Sequence, residues 1–129
     1  MPDSNLPSIQ LANAITAQIG QLRRHLALAP PGEAAQILAN VLDYDTGLLG
    51  EVTELVSTGS RFAKVNSERG ILPPEVWLAL GRAANELDSV GVGLTEHTGA
   101  IKKVAARALS SSGPTAAPVA SAMVVRRRR

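Results

Sequence analysis

The chain has 129 residues, of which 45% are apolar, 19% charged and 2% aromatic, a composition that excludes wholesale disorder and leaves room for one domain. It contains no cysteine, which excludes a disulfide scaffold, thiolate metal ligands and a thiol nucleophile. The net charge of +2 hides an asymmetry: up to Leu109, nine basic residues face eleven acidic ones, and four consecutive arginines then close the sequence.

The opening MPDSNLPSIQ has no basic segment followed by an apolar run, so no signal peptide is expected. No apolar stretch approaches the ~18–20 residues that a membrane span needs, and the expected compartment is the cytoplasm. Ten arginines against three lysines, with abundant alanine, match the texture of GC-rich bacterial genomes.

Apolar residues at helical spacing predict three helices. The first covers residues 6–28, with Ile9, Ala12, Ile15, Ile19, Leu22 and Leu26 three or four apart. The break APPGE follows. The second helix covers residues 32–66, on the stripe Ile37, Val41, Tyr44, Leu48, Val52, Leu55, Gly59 and Phe62. SERGILPPE is the next break. Gly70 suits the position just past a helix end, and paired prolines can open the helix that follows. The third helix covers residues 74–109, on a stripe that includes Val76, Leu80, Leu87, Leu94, Ile101 and Val104. No alternating strand pattern competes. The expected fold is all-α: an antiparallel three-helix up-down-up bundle over residues 1–109, with a long hairpin of helices two and three. Residues 110–129, rich in Ser, Pro and Ala, are expected to form a flexible, disordered tail ending in the arginine run.

The predicted lengths are unequal. At 1.5 Å per residue the first helix reaches about 33 Å and the other two about 50 Å each. The hairpin tip, residues 56–84, is therefore expected to project beyond the start of the first helix. Phe62, Ile71, Leu72, Val76, Trp77 and Leu80 are its candidate partner-binding residues. Either the tip covers its own seam, or it is an apolar patch for a partner or a second copy of the chain. A face of small residues on the third helix, Gly81, Ala84, Asp88, Gly91 and Thr95 beside Trp77, offers a close approach. It can receive the first helix or a helix of another chain.

Little in the sequence supports chemistry. His25 ends the first helix among arginines, where a positive group suits the helix dipole, and His97 falls on the third stripe as a semi-buried seam residue. No Glu-x-x-His or His-x-x-x-His pair exists, so no metal site is expected, and no cofactor loop or nucleophile triad is present. Asp43 and Asp45 face different ways on a helix, and Glu51 and Glu54 read as solvated. The expected function is that of a non-enzymatic interaction protein: an adaptor, assembly factor or accessory subunit that self-associates or binds a partner through the hairpin tip. The alternative is non-specific nucleic-acid binding, with Arg126, Arg127, Arg128 and Arg129 as phosphate contacts on a leash of about 16 residues.

Overall fold

The computed structural model describes residues 6–111, which fold into four α-helices with no strand among the described residues. They are α1 (Pro7–Leu28), α2 (Pro31–Leu42), α3 (Leu48–Glu68) and α4 (Pro74–Ser111). Of the expected tail, Ser110 and Ser111 instead close α4, and residues 112–129 lie outside the described residues.

Proline punctuates this chain as expected. Pro7 and Pro31 stand in the first turns of α1 and α2, where a missing N–H costs nothing. Ala29, forced to extended geometry ahead of Pro30, ends α1. Gly70 ends α3 with φ at 76°, a left-handed conformation that glycine adopts without a Cβ penalty. Around it the Ile71 amide donates to the Asn66 carbonyl at 2.8 Å and the Gly70 amide to the Ser67 carbonyl at 3.0 Å, which is a Schellman cap. α4 then runs unbroken from Pro74 to Ser111, through all its glycines.

The expected second helix is instead two. The stripe over residues 32–66 is interrupted at Asp43, where the backbone becomes extended, and helix resumes at Leu48. Asp43 causes the break. Its Oδ1 accepts hydrogen bonds from the amides of Asp45 at 2.9 Å and Thr46 at 3.0 Å, offering the backbone an alternative to the helical ladder. Gly47 closes the turn, its amide donating to the Asp43 carbonyl at 3.0 Å. A Cβ at Gly47 would collide with the Asn40 and Asp43 carbonyls, and one at Gly50 with the Tyr44 carbonyl. Asp43 and Asp45 are thus turn residues, not members of a helical face.

α4 is the spine. Going along it, Trp77 meets Lys64, Gly81 faces Ser60, Gly91 holds the Tyr44 ring, and Ala108 abuts Gly32. The partner's number falls as the α4 number rises. α3 therefore packs antiparallel on the first half of α4, and α2 on the second half. Together, α2, the turn and α3 form a jointed arm paired along the spine.

The up-down-up three-helix arrangement is not what forms. The backbone of α1 approaches that of α2 alone and reaches neither α3 nor α4. The small face of α4 does not receive the first helix; Gly91 and Asp88 receive Tyr44, and Gly81 faces Ser60 of α3. Burial is correspondingly thin. The buried apolar side chains among the described residues are Ala35, Ala63 and Ala105, and no large side chain is fully buried. α1 has no buried residue at all.

Candidate functional site

The hairpin tip is built by the Schellman cap of α3 and the proline start of α4. That turn lifts Ile71 into solvent, 60% exposed, while Phe62 on the last turns of α3 is 61% exposed. Leu72, Val76, Trp77 and Leu80 are half-buried. Lys64 Nζ sits 5.5 Å from the centroid of the Trp77 ring, a cation–π contact joining α3 to α4. All six expected tip residues lie around this one turn. Their surface is apolar, with a cation over its one indole.

A second apolar surface was not expected. α1 faces α2 and α3 across an open groove of about 650 Å³. Ile15, Ile19 and Leu22 line one wall; Val41, Leu48, Val52 and Leu55 line the other. The two-residue joint at Ala29 and Pro30 sets the carboxy-terminal end of α1 beside the start of α2. The groove therefore runs from Leu22 and Val41 near the joint towards Ile15 and Leu55. The break at Asp43 creates it, because the expected stripe is divided between two sides. Val41, Leu48 and Val52 turn to α1, whereas Tyr44 turns to α4. The sequence signal was DYDTG, a turn composition inside an apolar stripe whose phase it does not disturb.

A polar cluster fixes the joint of the arm to the spine. The Tyr44 hydroxyl donates to Asp88 Oδ1. That bond, with partial burial and the negative charge of Asp88, pushes the phenol above its ordinary range. Lys102 Nζ lies 3.9 Å from Asp43 Oδ2. The amides of Thr46 and Asp45, and then the Lys102 charge, hold the Asp43 carboxyl below the usual carboxylate range. Both effects are structural: each group is engaged in holding α2 and the turn against α4.

The remaining expected residues are scattered. His25 and His97 are exposed, the latter against the expectation of a semi-buried seam position, because the α4 stripe beyond Leu94 meets only short α2. Glu51 and Glu54 are exposed on α3. Among the described residues no group of His, Asp and Glu converges as metal ligands would, and no helix is long and apolar enough to cross a membrane. Arg126, Arg127, Arg128 and Arg129 lie outside the described residues. The chain matches no family model, no curated protein and no solved structure.

Proposed function

We propose that this chain is a non-enzymatic helical interaction protein of the cytoplasm, an adaptor, assembly factor or accessory subunit, that captures a partner protein through the hairpin tip. The observation that carries this reading is the placement of large apolar side chains. Phe62, Val65 and Ile71 stand 61%, 51% and 60% exposed around one turn, and among the described residues no large side chain is fully buried. Covering such side chains gains about 25 cal/mol per Å² of apolar surface, and a rigid aromatic beside them supplies the anchor that interfaces favour. Full-length protein recovered without a tag from its source cells, as wild type and as Phe62→Ser/Ile71→Ser, tests this. A protein that accompanies the wild type in fixed ratio and is lost from the variant, at unchanged helicity, is the expected result. No companion, or one that survives the substitutions, would contradict it.

A second reading rests on the charge asymmetry of the sequence, a body of −2 beside a terminal +4. Under it the four arginines contact nucleic-acid phosphates without sequence preference. Four phosphate contacts on duplex DNA give a salt slope of about −3.6, so binding is weak at physiological salt without a second contact. Full-length protein and a 1–125 truncation, compared on duplex DNA over a salt series, should differ by that slope. Equal affinities with equal slopes would remove the reading.

A further inference from the structure

The arm keeps one register on the spine across its break. Gly32 lies against Ala108 and Ser60 against Gly81, a step of 28 residues along the arm and 27 along the spine. An unbroken antiparallel helix pair gives equal steps, because both helices rise 1.5 Å per residue. The phase is kept as well. Gly32 and Ala35 recur four heptads later as Ser60 and Ala63, and both alanines are buried. Five extended residues in the break would have carried α3 about 9 Å further along the spine. The turn from Asp43 to Gly47 instead occupies the room that helical residues would take. One bond of that helix is already made, from the Gly47 amide to the Asp43 carbonyl at 3.0 Å.

We propose that the joint is a two-state hinge, in which the broken arm exchanges with one continuous helix over residues 31–68 and Tyr44 moves from α4 to the groove beside α1. The apolar stripe sets that destination. Val41 and Leu48 line the groove, and Tyr44 stands three residues after the first and four before the second. In an unbroken helix all three share one face. The broken arm holds Tyr44 on the other side, its ring on Gly91 and its hydroxyl on Asp88. Neither half of the arm has to slide along α4 for the exchange. What holds the break is local. Asp43 Oδ1 takes the amides of Asp45 and Thr46, Lys102 stands beside Asp43, and Gly50 leaves room for the Tyr44 carbonyl. The continuous helix returns the two amides to the carbonyls four residues back, and aims the Tyr44 carbonyl at the Leu48 amide, clear of position 50. The hairpin tip takes no part, so the hinge stands or falls separately from the tip reading.

Nuclear magnetic resonance of the labelled full-length protein tests the inference. Tyr44 is the one tyrosine, so contacts to its ring are unambiguous. In the wild type the Cα shifts of residues 43–47 should be non-helical and the ring should contact Gly91, with the continuous form below about 10%. Asp43→Ala removes the acceptor of two amides, and Gly50→Ala places a Cβ against the Tyr44 carbonyl of the turn. Each should make the continuous form the majority: helical shifts through 43–47, ring contacts to the methyls of Ile19 or Leu22, and contacts of Gly32 with Ala108 unchanged. Leu48→Pro, added to Asp43→Ala, should restore the break and return the ring to Gly91. Proline suits the first position of α3 after extended Gly47, but not a helix interior. Non-helical shifts at 43–47 in both single variants, a ring that stays on Gly91 when they turn helical, or loss of the Gly32 contact with Ala108 would each overturn it.

Discussion

Single glycines of α4 divide into those the packing demands and those it does not. A Cβ on Gly91 would strike the Tyr44 ring, which its bond to Asp88 holds in place. Gly91→Ala is expected to destabilise by about 1–3 kcal/mol, the usual cost of overpacking. Gly93 and Gly99 have open space where a Cβ would go. Their replacement by alanine should stabilise by about 0.5–1 kcal/mol each, since glycine is disfavoured in a helix interior. Urea midpoints of the three variants check the signs. Tyr44 and Asp43 make the pH limits. Tyr44 has a raised folded-state pKa, so its contribution is full below the ordinary phenol value and is lost as pH rises through the folded value. Asp43 has a lowered one, so its contribution is present above the ordinary carboxyl value and is lost as pH falls through the folded value. Tyr44→Phe should remove Tyr44's part of the alkaline loss of stability and leave the acid side unchanged, as read from urea midpoints over a pH series.

At the scale of elements, the helices were legible because helix formation is local. Pro7, Pro31, Gly70 and Pro74 set boundaries that the sequence announces, and the stripes of α1 and α4 run uninterrupted. The turn at Asp43 was not legible from periodicity, since Val41, Tyr44 and Leu48 keep helical spacing across it. The turn composition DYDTG was its one sequence signal, and the hydrogen bonds of one carboxylate to two amides form it. Which helix a stripe faces is not a local property either. The tip residues were legible as a cluster because one short turn gathers them, whereas the groove depends on the arm bending away from α1. The elements should consequently differ in how much they hold the monomer. Ala63 is completely buried between α3 and α4, so Ala63→Leu should cost about 1–3 kcal/mol. On α1, Leu28 is 88% exposed, and Leu28→Ser should cost less than about 0.5 kcal/mol. Urea midpoints of the two variants check the difference.

For the molecule as a whole, the account describes a spine with a jointed arm and a first helix held only at its end, rather than a closed bundle. Stability then rests on the α2–α4 and α3–α4 seams, and α1 adds little to it. Amide hydrogen exchange, resolved along the full-length protein at low and at high concentration, tests this most directly. The account predicts that α3 and α4 are protected at both concentrations, while α1 exchanges faster than either when dilute. Protection of α1 equal to that of α4 at every concentration, as a closed three-helix bundle would give, would contradict it.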